Sequence, residues 1–144
     1  MEYWEELGVD LASGFLYGLV GIALLALGFF VIDILTPGKL GRQLAEDRNR
    51  NAGIIVASGL LAIGIIVTSA IIASEGSLAK GLGQSFGFGI VGIVLLGVAF
   101  TVVDAITPGK LGESVMGEEG HEPMVFVTAA SLLSVGGIVA AAIS

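Results

Sequence analysis

Asp33 and Asp104 are the only ionisable side chains inside four long apolar runs of this chain, and they are the residues whose placement suggests chemistry. A carboxylate in a bilayer costs about 2.5–3.5 kcal/mol at the centre and less towards the end of a span. Each acid also closes a helix C-terminus, where the macrodipole disfavours negative charge. Breaking the same two rules twice points to a proton or small cation bound at these carboxylates. A structural pin is the competing role. Each Asp lies three residues from a threonine (Thr36, Thr107) and six from a lysine (Lys39, Lys110), within reach of a hydrogen bond and an ion pair at the interface. The pin is the expected role, ahead of ion handling, with partner docking third.

The acids belong to one stretch that occurs twice. Asp33-Ile34-Leu35-Thr36-Pro37-Gly38-Lys39-Leu40-Gly41 returns 71 residues later as Asp104-Ala105-Ile106-Thr107-Pro108-Gly109-Lys110-Leu111-Gly112. The residue before proline is pushed out of helical geometry, and Pro37-Gly38 and Pro108-Gly109 supply turns. Each copy therefore ends an apolar helix.

Few other residues suggest a site. His121, the single histidine, stands among Glu118, Glu119 and Glu122, but the spacing fits no zinc or calcium template, so no metal site is expected. There are no cysteines, hence no disulfide or thiolate chemistry. No phosphate-binding loop and no nucleophile–base pair is present, so neither catalysis nor a cofactor is expected. A formal net charge of -7 argues against nucleic acid as a partner. Lys39, Arg42, Arg48 and Arg50 suit non-specific contact with anionic headgroups.

The elements that carry these residues are membrane spans. Of 144 residues, 55% are hydrophobic and only 13% charged, with a mean hydropathy of +0.98; a soluble domain carries about 25% charge. The spacing predicts four helices, at roughly 16–35, 54–73, 86–106 and 125–143. Each has about the 20 apolar residues that cross a ~30 Å hydrocarbon core. The acidic start of the chain and the length of its first run argue against a cleaved signal peptide. Tyr3 and Trp4 are expected as headgroup-level anchors, and Asn49 or Asn51, in a polar cluster with Arg48 and Arg50, as an N-cap of the second helix. Five of the six basic residues (Lys39, Arg42, Arg48, Arg50 and Lys110) flank the repeated turns, and only Lys80 lies in the other connection. The positive-inside rule then places loops 37–52 and 108–123 in the cytoplasm and both termini outside.

The repetition covers whole helix pairs. Gly18, Gly21, Ile22, Leu24, Leu25, Phe29 and Val31 return at the 71-residue shift as Gly89, Gly92, Ile93, Leu95, Leu96, Phe100 and Val102. Leu60, Leu61, Gly64, Ile66, Val67 and Ile71 return at a shift of 72 as Leu132, Leu133, Gly136, Ile138, Val139 and Ile143. The expected fold is one all-α integral membrane domain, with tandem two-helix repeats at 14–73 and 85–143. An even number of spans per repeat gives both the same orientation. Gly14, Gly18, Gly21 and Gly28 fall on one helical face, with Gly89 and Gly92 as counterparts, and small residues in register let helices approach closely in lipid. Internal packing is the first reading of that stripe and a homo-oligomer interface the second.

The repeat, the paired Asp-x-x-Thr-Pro motif and Asn51-Ala52 resemble the bacterial family of domain of unknown function 350, the uncharacterised protein family 0719 transmembrane proteins. The resemblance spans roughly 14–143 and implies a four-span inner-membrane protein built of two such units. Family genes near polyamine-synthesis-like and envelope-stress genes make polyamine a conceivable cargo. The expected function is a non-enzymatic scaffold of an envelope-associated system. Its expected partners are the lipid bilayer, further copies of itself and a cytoplasmic or membrane protein. The alternative is a channel or transporter for a proton, small cation or polyamine, using Asp33 and Asp104.

Overall fold

Hydrocarbon offers the backbone no water, so an apolar run of this length satisfies its peptide groups by becoming helical. The computed structural model of the protein describes residues 2–35, 50–106 and 123–144. They form four helices: α1 (Glu2–Leu35), α2 (Arg50–Ala73), α3 (Leu78–Ile106) and α4 (Pro123–Ile143). All four are long and apolar enough to cross a membrane. The fold is an all-α, multi-pass membrane bundle.

All four helices begin before their apolar runs, α1 and α3 by eight residues or more. α1 starts at Glu2 rather than near 16, and at 34 residues it is about 51 Å long, well beyond a ~30 Å core. Glu2 and Glu5 in its first turn suit the positive end of the helix dipole. Tyr3 and Trp4, packed edge to face at 5.3 Å, therefore ride on a helical extension, about 17 Å along the axis from Phe15. α3 starts at Leu78 rather than near 86 because the connection from α2 is tight. Gly76 turns the chain at φ 92°, and Ser77 Oγ accepts the Lys80 N–H at 3.4 Å as a helix cap. Gln84 Oε1 reaches back to accept the Glu75 N–H at 2.7 Å, which ties α3 to its own lead-in.

Glycines set how the helices meet. Along the seam of α1 and α3, Tyr17 lies over Gly81, Leu24 over Gly89, and Val31 and Leu35 over Gly97. Residue numbers rise together, so these two helices are parallel. Between α1 and α2, Ile63 lies over Gly28 and Ile32 over Gly59, the antiparallel sense. Ile66 of α2 and Ile143 and Val139 of α4 converge on Gly92 of α3. The broadest contact joins α2 to α4, where Ala62 meets Gly136. α2 is the inner helix and α1 the outer one: half of the most apolar window of α2 is buried, against 17% for α1.

Gly136 and its neighbour Gly137 separate packing from helix propensity. A Cβ at Gly136 would stand 2.6 Å from the Cβ and 2.8 Å from the Cα of Ala62, so backbone must move; one at Gly137 meets nothing within 4 Å. Gly136→Ala is expected to destabilise the chain by about 1–3 kcal/mol. Gly137→Ala is expected to stabilise it slightly, by up to about 1 kcal/mol. Thermal unfolding of both variants in one detergent checks the pair, and equal midpoints would contradict this packing.

Candidate functional site

The end of the bundle where α1 and α3 finish is where the candidate acids lie. Asp33 and Asp104 each stand two residues before the last residue of their helix. Val31, Ile32 and Leu35 of α1, Ile55 of α2, Leu96, Gly97 and Phe100 of α3 and Leu132 of α4 surround one small space there. Its cavity volume is about 10 Å³, room for about one water molecule, and its walls are apolar. Further in, Leu24, Ile63, Ile66 and Ile93 are fully or almost fully buried.

Asp33 is half-buried and engaged in a polar interaction. The side chain of Asp104 lies outside the described residues. So do Thr36, Pro37, Gly38, Lys39, Thr107, Pro108, Gly109 and Lys110, and with them the expected threonine and lysine partners.

Among the described residues four polar side chains are buried: Asn51, Ser58, Ser85 and Thr128. Two are answered by their own helices. Ser58 Oγ donates to the Ile54 carbonyl at 2.8 Å and Ser85 Oγ to the Gly81 carbonyl at 2.9 Å, the usual device for hiding a hydroxyl in a helix. The other two, Asn51 and Thr128, lie in the early turns of α2 and α4, at the end where α1 and α3 finish, and both take part in polar interactions. Of the two asparagines expected as an N-cap, Asn49 lies outside the described residues, and Asn51 is inside α2 and 1% exposed, because α2 is already helical at Arg50. Thr128 was not visible as a candidate in sequence, since a lone threonine in an apolar run resembles Thr68, which is exposed.

The glycine stripe divides. Gly28, Gly89 and Gly92 each receive a large aliphatic side chain, and Gly21 has Val67 at 3.6 Å from a built Cβ. Gly14 and Gly18 meet nothing within 4 Å. The reason is rotational. α1 presents Leu24, Gly28 and Ile32 to the core, and Gly18 lies roughly 120° round the helix from Leu24.

A buried amide, which carries more polar atoms to satisfy, should matter more than a hydroxyl bonded within its own helix. Asn51→Leu, which keeps the volume, is expected to lower stability by about 1–2 kcal/mol. Ser85→Ala is expected to change it by less than about 0.5 kcal/mol, since the Gly81 carbonyl keeps its helical partner. Detergent melts of the two variants compare them directly, and a larger loss for Ser85→Ala would reverse the assignment.

The profile of the family described as Domain of Unknown Function (DUF350) matches residues 6–143. A UPF0719 transmembrane protein of Mycolicibacterium paratuberculosis is 39% identical over 129 residues, covering 90% of this chain and 85% of the relative. UPF0719 transmembrane proteins of Mycobacterium bovis and Mycobacterium tuberculosis are each 43% identical over 129 residues, covering 90% of this chain and 84% of the relative. No solved structure matches. With a matching profile over nearly its whole length and relatives at this identity, the chain belongs to the DUF350 family of transmembrane proteins.

Proposed function

We propose that the protein is a non-enzymatic structural component of the bacterial cytoplasmic membrane, a scaffold for an envelope-associated system. The observation that carries this reading is the closed interior. Side chains of four helices fill the centre of the bundle, and the space beside Phe100 has room for about one water. A single chain therefore offers lateral surfaces and loops rather than a path. In this reading the helix pairs α1–α2 and α3–α4 are tandem repeats of one orientation. The meeting of Gly21 with Val67 has its counterpart in Gly92 with Val139, at 3.6 and 3.5 Å from a built Cβ. The loops 37–52 and 108–123, which hold five of the six basic residues, face the cytoplasm, where a partner protein docks, and both termini lie outside.

Two experiments test this. A tagged protein at native expression, taken from membranes in mild detergent, should retain a stoichiometric partner, and a Lys39→Glu/Lys110→Glu variant should lose it. Recovery of the wild type alone would contradict the scaffold. Alkaline phosphatase fused after Ser144 should be active and fused at 115 inactive; the reverse pattern would invert the topology.

The burial of Asn51 and Thr128 at the same end as the two acids favours a second reading, a channel or transporter for a proton, small cation or polyamine. Liposome flux under an imposed potential discriminates. The scaffold predicts none above empty vesicles. Flux that disappears in a folded Asp33→Asn/Asp104→Asn variant would transfer the assignment to transport.

A further inference from the structure

The two repeats meet asymmetrically, and that asymmetry leaves a matched pair of surfaces unused. Wherever a glycine is met across the repeats, it is a glycine of repeat two: Leu24 lies over Gly89, Ile66 over Gly92, Ala62 over Gly136, and Val31 and Leu35 over Gly97, and α2 packs broadly on α3 whereas α1 and α4 scarcely touch. A two-fold relation would require each contact a second time with the roles exchanged. Leu95 would then lie over Gly18, Ile138 over Gly21, and Ser134 over Gly64. None of these occurs. Gly18 and Gly64 meet nothing within 4 Å, and the sole neighbour of Gly21 is Val67 of its own repeat. The missing partners are all outside: Leu95 is 41% exposed and Ile138 68%, whereas their counterparts Leu24 and Ile66 are 0% exposed. Val102 and Ile106, the counterparts of Val31 and Leu35, are exposed as well.

Exposure alone means little here, because lipid accepts apolar side chains. The correspondence is what counts. Repeat one carries the unused glycine side of the interface, repeat two carries the unused large side, and the chain already contains one worked example of how they fit. One contact departs from the pattern: Tyr17 over Gly81 maps to Phe88 over Asp10, near the start of the α1 extension. A groove of about 400 Å³ runs beside this face between the ends of α1 and α3, lined by Val31 and Leu35 as well as Val94, Val98, Thr101 and Val102.

We propose that the occupant is a second copy of this chain, docked head to tail. Repeat two of one copy packs on repeat one of the next as repeat one packs on repeat two within the chain. The exposed Leu95 and Ile138 fill Gly18 and Gly21 of the neighbour. Such an interface is heterologous, and it closes into a ring if the rotation permits. Because α1 and α3 are parallel, the operation keeps every copy in one orientation, as neighbours inserted by the same route must be. This rests on the tandem-repeat part of the proposed function and not on any envelope partner.

The chain has no cysteine, so engineered pairs report cleanly. Gly18→Cys/Leu95→Cys, oxidised with copper phenanthroline in vesicles holding only the purified protein, should give a reducible ladder of dimers, trimers and higher species. Gly18→Cys or Leu95→Cys alone should yield less than about a tenth of that cross-linking, and a mixture of the two should stop at dimers. Leu24→Cys/Gly89→Cys should close within one chain, which verifies the in-chain packing. Cross-linking of Gly18→Cys to itself would replace this interface with a two-fold one. A Gly18→Cys/Leu95→Cys variant that stays monomeric, or closes internally, while the reference pair closes would overturn the proposal. Neither result would touch the scaffold's dependence on its cytoplasmic partner.

Discussion

Lipid supplies almost no hydrophobic drive for two apolar helices to associate, since acyl chains solvate leucine as well as another helix does. Everything in this bundle therefore depends on how closely backbones can approach. The recurrent device is a large aliphatic side chain from one helix entering the space left by a glycine on another, while at the α2–α4 contact Gly136 meets the backbone of Ala62. Ile63 at Gly28, Ile32 at Gly59, Leu24 at Gly89 and Ile66 at Gly92 are four instances across three helix pairs. Dispersion between well-fitted atoms is weak per pair and substantial in sum, and a missing Cβ is what allows the fit. The 23 glycines of the chain, costly in a soluble helix, are an asset in this solvent.

The same device explains why two similar helices behave differently. α1 and α3 share Gly18/Gly89, Gly21/Gly92, Leu24/Leu95 and Leu25/Leu96, yet they bury different members of each pair. Leu24 is buried and Leu95 is not; Leu96 is buried and Leu25 is 36% exposed. Identical residues take opposite roles because α3 touches all three other helices, whereas α1 lies at the edge. In the proposed tandem-repeat arrangement, two copies of a self-complementary unit placed in sequence leave one surface of each kind open at the ends. The polar end of the bundle is a separate matter. Asp33, Asn51 and Thr128 gather where the helices meet the repeated loops, a depth at which polar groups can be satisfied without a path through the core.

Much of the fold was legible in the sequence. Four apolar runs of spanning length gave four helices, because nothing but a helix satisfies a backbone in hydrocarbon. The ends were less legible. Hydropathy marks where lipid stops, not where hydrogen bonding stops, so the continuation of α1 back to Glu2 and the capping of α3 by Ser77 were missed. Of the two asparagines offered as a cap, Asn51 lies inside its helix, and its burial was hidden for a related reason: its type suits a helix start, but its burial depends on neighbours that are distant in sequence. The glycine face could be recognised by spacing, but which glycines are filled could not. Gly18 and Gly89 have similar surroundings along the chain and opposite surroundings in space.

Electron cryomicroscopy of the protein extracted in native lipid nanodiscs would test the central claim most directly. The account predicts Leu24 seated on Gly89 within each chain and Leu95 seated on Gly18 of an adjacent copy, the two contacts superimposing on each other. A lone bundle with Leu95 facing lipid, or one in which Leu95 rests on Gly18 of its own chain, would contradict it.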